Sequence, residues 1–267
     1  MTNDYELLYA LPLIFIGIAI AIGWVSNSSN IINNNDNNPP NDNNHEIRMP
    51  VFLKYEENKT RLVQIYNQFN NDYIVGFTGF ETQSYINQIN GNKAITFFNA
   101  SQIIENINTL KSGNMNWIAY DLEGGYSPQN EIDNPVSTVI NLYNTLKSNN
   151  MNLILTITNL GSNTLSVINQ TVLYTDIFVL QTQFAQTDGP NNYGNITNTY
   201  ITMIKEYNPN VKVIVQVSLI KGDLQNCKDS FSRVASKADG VTLFYPPQTT
   251  ALNDVEAFWS WVNTNYS

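Results

Sequence analysis

Asp121 and Glu123 stand one residue apart at the end of an apolar run, in WIAYDLEGGYSP (residues 117–128), and a Gly-Gly turn follows them. In an extended chain, residues two apart share a face, with Cα atoms about 6–7 Å from each other. Two carboxyls held that close in a partly dry site cannot both ionise freely, so one keeps its proton to higher pH. A Glu protonated near neutral pH can donate to a glycosidic oxygen, while its neighbour stabilises positive charge or orients a participating group. Three other roles suit the same residues. They could cap or anchor a loop, bind a sugar without turnover, or, with Glu81, supply oxygen ligands to Mg²⁺ or Ca²⁺. Nothing in the spacing demands a metal, and no metal or cofactor is expected.

Several other chemistries are excluded by composition. The single cysteine, Cys227, forms no internal disulfide, and the single histidine, His45, lies in a polar stretch outside any expected element. Cys/His zinc sites and Ser-His or Cys-His nucleophilic centres are therefore out of reach. A formal charge of -9, with 22 acids against 13 bases, argues against a nucleic-acid partner. No glycine-rich phosphate turn is present.

The elements that must position the acids are legible from residue 49 onward. Eight short apolar or β-branched runs, at 50–55, 73–80, 93–98, 117–123, 152–158, 177–183, 211–217 and 240–246, read as strands. Helix-compatible runs follow each: 56–70, 82–90, 101–112, 130–149, 163–173, 195–207, 223–237 and 251–263. Ser101, Asp223 and Asn253 read as helix starts. Strand–helix alternation implies a parallel sheet, and eight units in this length match a (β/α)8 TIM-type barrel.

In such a barrel the run 117–123 is the fourth strand. Ile118, Tyr120 and Leu122 face the helices, while Trp117, Ala119, Asp121 and Glu123 face the interior, with both acids at the C-terminal mouth. In the sixth strand Ile177 and Val179 point inward below Gln181 and Gln183. In the eighth, Val241 and Leu243 lie inward below Tyr245. The amides suit sugar hydroxyls or an N-acetyl group, and Trp117, Tyr126 and Tyr245 suit stacking on sugar faces. Glu81, after the second strand, is a further acid at the mouth. Asp188, in FAQTDGPNNYGN, reads as a turn residue. Trp259 and Trp261 read as packing for the last helix, and Cys227 as a small core residue.

The D-x-E at the end of the fourth strand resembles that of the chitinase-type (family 18) glycoside hydrolases, whose motif is D-x-x-D-x-D-x-E. The corresponding positions here are Asn116, Ala119, Asp121 and Glu123, so the last two acids match. The resemblance implies a (β/α)8 barrel in which Glu123 is the general acid. It implies that Asp121 orients the substrate's N-acetyl group, whose oxygen is the nucleophile. That family often carries a Tyr at the end of strand six, where Gln183 stands here, and a Trp at the end of strand eight, where Tyr245 is nearest. The expected partner is a carbohydrate, and the alternative is a catalytically silent carbohydrate-binding or cell-envelope protein.

Residues 7–25, LLYALPLIFIGIAIAIGWV, are uncharged and span roughly 28 Å as a helix, close to a hydrocarbon core. No Lys or Arg precedes them, which favours an uncleaved membrane anchor over a signal peptide. The expected organisation is a tail at 1–6, a transmembrane helix at 7–25, a disordered Asn-rich linker at 26–46 and a barrel at 47–267. The barrel is expected to be extracytoplasmic.

Overall fold

The computed structural model describes residues 46–77 and 79–266. The expected tail, the transmembrane helix and all of the linker except Glu46 lie outside the described residues. Among the described residues, no helix is long and apolar enough to cross a membrane.

Every strand pairs in parallel, in the order β1-β9-β8-β7-β6-β5-β4-β3-β2. The strands are β1 (Ile47–Arg48), β2 (Val51–Leu53), β3 (Tyr73–Phe77), β4 (Asn92–Phe97), β5 (Trp117–Glu123), β6 (Asn152–Thr158), β7 (Ile177–Leu180), β8 (Lys212–Ser218) and β9 (Gly240–Phe244). The two ends of this order, β1 and β2, are two halves of one chain segment, and this closes the sheet into an eight-membered barrel. β1 pairs with β9 (Ile47 opposite Gly240), whereas β2 pairs with β3 (Val51 opposite Val75). The partner switches at Met49–Pro50: Met49 N donates to Val241 O, and Pro50 O accepts from Val75 N. Proline has no N–H to give the ladder, so a break there leaves no donor unpaired. Gly240 allows the closure, since a Cβ at that position would lie 2.2 Å from Ile47 O.

The expected first strand, 50–55, is thus corrected to the two pieces at 47–53. Ile47–Arg48 was missed because a two-residue apolar–charged step carries no periodic signal. The sixth strand ends at Leu180 rather than residue 183, and a 3₁₀ turn at Gln183–Asp188 follows.

Helices cover the outside: Lys59–Tyr66, Gln83–Ile86, Ala100–Glu105, Ile107–Ser112, Gln129–Asp133, Pro135–Ser148, Thr164–Thr171, Pro190–Tyr207, Leu224–Ser232 and Leu252–Asn265. Asp223 caps its helix by accepting from Asn226 N at 2.8 Å, as expected. Ser101 and Asn253 are corrected. Asn99 is the residue that caps Ala100–Glu105, through Gln102 N. Asn253 lies inside the last helix, where its side chain accepts from Arg61 instead.

Apolar packing divides into two layers. Met49, Val75, Ala94, Ala119, Ile154, Ile177, Val179 and Ile214 fill the barrel interior. A far larger cluster lies between strands and helices and includes Ile118, Tyr120, Leu122, Val241, Leu243 and Tyr245. Strands buried on both faces are what an all-parallel sheet requires. Trp259 and Cys227 are wholly buried in that outer layer, and Trp261 packs edge-on against Phe231.

Candidate active site

β5 carries the acids. Its alternation places Ala119 and Asp121 on the barrel interior and Ile118, Tyr120 and Leu122 against the helices. The strand is held in register along its length by β6, with Asp121 opposite Thr156 and Glu123 opposite Thr158. Its outer face is fixed by buried Glu131, whose carboxylate accepts from Tyr120 Oη at 2.7 Å and from Ala100 N at 3.0 Å. One buried acid thus ties the back of β5 to the start of a neighbouring helix.

Beyond Glu123 the chain turns through Gly124 and Gly125, the latter at φ +94°. Ser127 folds back, its Oγ donating to Asp121 O at 3.2 Å and accepting from Glu123 N at 3.0 Å. A Cβ on Gly124 would lie 2.2 Å from Asn159 O, so glycine lets the loop after β6 come against this turn. That approach brings Asn159 Nδ2 to 2.9 Å from Glu123 Oε1. Asn159 itself holds the left-handed conformation, at φ +56°, which asparagine tolerates better than most residues.

Asp121 is nearly inaccessible, at 3%, and its Oδ1 has no hydrogen-bond partner among the described residues. Burial, and then the charge of Glu123, push its carboxyl up to about 8. Burial also raises Glu123, against the opposing pull of the Asn159 amide. The two act as one coupled pair that retains a proton into the neutral range. Ala119, one step deeper, is apolar, so no further strand carboxylate lies beneath Asp121.

Asp121 borders a cavity of about 40 Å³ at the heart of the mouth, together with Thr96, Thr156, Gln181, Gln216 and Thr242. The Thr242 hydroxyl is, like Asp121 Oδ1, buried without a partner among the described residues. Outside it lies an open cleft of about 560 Å³ over the loops after β3, β4 and β5, lined by Glu81, Phe98, Asn99, Gln102 and Tyr126. Thr96 borders both spaces.

The structure therefore brings Asp121, Glu123 and Gln181 to the mouth, and sets Glu81 and Tyr126 in the adjoining cleft. Glu81 is paired with Lys54 at 2.8 Å. Three expected residues do not join the site. Trp117 opens β5 at the opposite end of the barrel, where it packs edge-on against Tyr73. Gln183 lies in the 3₁₀ turn beyond β7, outside the inward alternation that ends with Gln181. Tyr245 faces the helices, wholly buried, with its hydroxyl donating to Val51 O at 3.3 Å. The parity assigned to the last strand is reversed: Thr242 faces the interior, and Phe244, beside Phe77, takes the place expected for Tyr245. Asp188 is an exposed turn residue, accepting from Asn192.

Asn159, Ser127, Thr156, Gln216 and Thr242 are the site residues that sequence reasoning missed. Thr242 carried a signal, since it is the polar residue of an otherwise apolar strand. Asn159 could have been found as the residue just past the strand that pairs with β5. No group of three or more metal-ligating side chains occurs among the described residues.

No protein-family model matches the chain, and no curated protein matches it in sequence. Solved structures do match it in shape. The spore cortex-lytic enzyme SleL of Bacillus megaterium QM B1551 superposes with a TM-score of 0.64 at 8% identity, covering 86% of this chain and 76% of that one. A chitinase from Chromobacterium violaceum superposes with a TM-score of 0.58 at 10% identity, covering 82% of this chain and 98% of that one. The likeness is one of fold: this chain has the parallel barrel seen in a spore cortex-lytic enzyme and in a chitinase.

Proposed function

We propose that the barrel is a glycoside hydrolase acting on an N-acetylated glycan, with Glu123 as the proton donor and Asp121 as the residue that orients the N-acetyl group. The observation that carries this reading is the coupled carboxyl pair at the mouth: among the described residues, one member is buried and unpartnered at Oδ1 and the side chain of the other is half-buried and bonded to an amide. Glu123 passes its proton to the glycosidic oxygen as the C–O bond breaks, while the N-acetyl carbonyl oxygen attacks the anomeric carbon. Water then opens the cyclic intermediate and returns its proton to Glu123. Asp121 holds the acetamido group, with Gln181 and Thr156 on the same wall.

A second reading has support from two observations. Glu123 is already engaged by Asn159, and the cavity beside Asp121 is only about 40 Å³. That geometry suits a barrel that binds sugar without turning it over. The full chain, incubated with a panel of glycan polymers with and without N-acetyl groups, separates the two. New reducing ends from an N-acetylated polymer are the expected result. Binding without new ends would give the site to the silent reading, and neither binding nor cleavage would sink both.

The same reading keeps residues 7–25 as a membrane anchor and the Asn-rich stretch after them as a tether that holds the barrel outside the cytoplasm. The support is the length and lack of charge of that segment. The expected outcome is that the full chain stays with membranes through alkaline carbonate extraction. Release into the supernatant would remove the anchor.

A further inference from the structure

Asn159 carries a side chain whose placement the backbone alone does not explain. Three residues other than glycine hold a positive φ among the described residues: Asn114, Asn150 and Asn159. Asn114 and Asn150 follow the ends of helices. Such a position asks only for a residue that tolerates the left-handed conformation. Asn159 instead follows β6 and is solvent-exposed. It directs Nδ2 to Glu123 Oε1 at 2.9 Å, its one side-chain hydrogen bond among the described residues.

Backbone fixes both ends of this bond. On the Glu123 side, Ser127 Oγ accepts from Glu123 N and donates to Asp121 O, so the strand end and its turn move together. On the Asn159 side, Gly124 N donates to Thr158 O at 3.2 Å, and a Cβ on Gly124 would lie 2.2 Å from Asn159 O. Nδ2 has only hydrogens to offer, so Oε1 is the acceptor of the pair. Oε2 makes no hydrogen bond among the described residues and is left to carry a proton. Asp121, two residues back, is the carboxyl coupled to Glu123. The neighbouring segments present uncharged groups: Thr158 and Asn159 after β6, Phe98 and Asn99 after β4, Tyr126 and Ser127 in the turn. Glu81, in the adjoining cleft, is paired with Lys54.

We infer that Asn159 is the positioning residue of the acid: its amide orients the Glu123 carboxyl, leaves Oε2 as the oxygen that donates, and stabilises the carboxylate formed when the proton departs. The inference rests on the glycan-hydrolase reading above and deepens it. As Oε2 gives its proton to the glycosidic oxygen, the C–O bond breaks toward that oxygen and Glu123 becomes charged beside the Nδ2–H. The water that opens the cyclic intermediate gives its hydroxyl to the anomeric carbon and its proton back to Oε2. An N–H held on the charged form favours ionisation, the direction in which Asn159 acts on Glu123 against burial. The 2.9 Å contact thus makes Glu123 able to release its proton rather than blocking it.

Asn159→Gly is the discriminating variant, because glycine accepts φ +56° and takes away only the amide. In the full chain, the carboxyl band lost in Glu123→Gln identifies Glu123 in infrared difference spectra. Its midpoint is followed from pH 4 to 10 with and without Asn159→Gly. The midpoint should rise by about one pH unit, a tenfold change in the proton-dissociation constant. With the N-acetylglucosamine hexamer as substrate, kcat should fall about tenfold while KM changes little. The alkaline limb of the rate profile should move up with the midpoint. Asn159→Asp, which also tolerates the left-handed turn, should raise the midpoint further by setting a like charge beside Glu123. An asparagine needed only for its backbone would leave midpoint and limb unmoved in Asn159→Gly. That result would overturn the inference, and hydrolysis by the wild-type chain would still uphold the acid site. A raised midpoint in both variants, with no hydrolysis by the wild type, would uphold the coupling of Asn159 to Glu123 and take down the glycan-hydrolase reading. An unmoved midpoint with no hydrolysis would take down both.

Discussion

Glu123→Gln is expected to lower kcat on an N-acetylated glycan by about 10²–10⁴-fold, the range that a positioned general acid contributes, while KM changes little. Gln matches Glu in size, and its own carbonyl can still accept from Asn159 Nδ2, so the 2.9 Å contact and the turn through Gly124 are kept. What is lost is the transferable proton. In the wild type, burial holds that proton on the pair toward neutral pH, so cleavage should fall as pH rises through the range in which the pair ionises. An aryl glycoside with a good leaving group needs less protonation, and its cleavage should suffer less than that of the natural linkage. Rates for both substrates across pH 4 to 9 check this. Equal losses on the two substrates would mean that Glu123 does not protonate the leaving group. No loss on either would remove it from the chemistry.

The strand count and the direction of the barrel were legible because each β-branched run was bounded by turn residues and followed by a helix-compatible stretch. β5 could be oriented because its own acids break the pattern: one face reads Ile118, Tyr120, Leu122 and the other ends in carboxylates. β7 was readable as far as Gln181 for the same reason. The last strand was not. Parallel barrel strands are apolar on both faces, and in GVTLFY either alternation yields an acceptable core. Assuming apolar residues at depth and a polar one at the mouth chose the wrong face. In the fold, Thr242 goes inward and Tyr245 outward, to Val51 O beside the Tyr66 hydroxyl. Trp117 was misjudged along a different axis. Its parity put it on the interior, but it lies six positions before Glu123, and the first residue of a barrel strand belongs to the floor. The Asn159 contact depends on two loops from different strands meeting at Gly124, and no local pattern encodes such an approach.

Asp121→Asn should make the domain more stable at pH 8 while removing its activity. Burial holds the folded Asp121 carboxyl up to about 8, against about 3.9 in an unfolded chain. The sign follows directly. Between those values the folded chain carries a proton that the unfolded chain has released, so stability is fully present below about pH 4 and is lost as pH rises toward 8. Asparagine has the same shape and never ionises, so it removes this dependence. At pH 4 the variant and the wild type should unfold together. At pH 8 the variant should gain several kcal/mol, each worth about 2–4 °C in Tm for a domain of this size. An upward shift on losing a carboxylate is what a functional acid buried at a cost predicts; a structural acid in a satisfied network would give the reverse. The contrast is available on the back of the same strand, where Glu131 accepts from Tyr120 and two helix-start amides, and its loss should only destabilise. Thermal unfolding of Asp121→Asn at both pH values decides between them. A Tm at pH 8 equal to or below the wild type would show that Asp121 is ionised and partnered in the fold. The coupled-pair argument for Glu123 would then lose its physical basis.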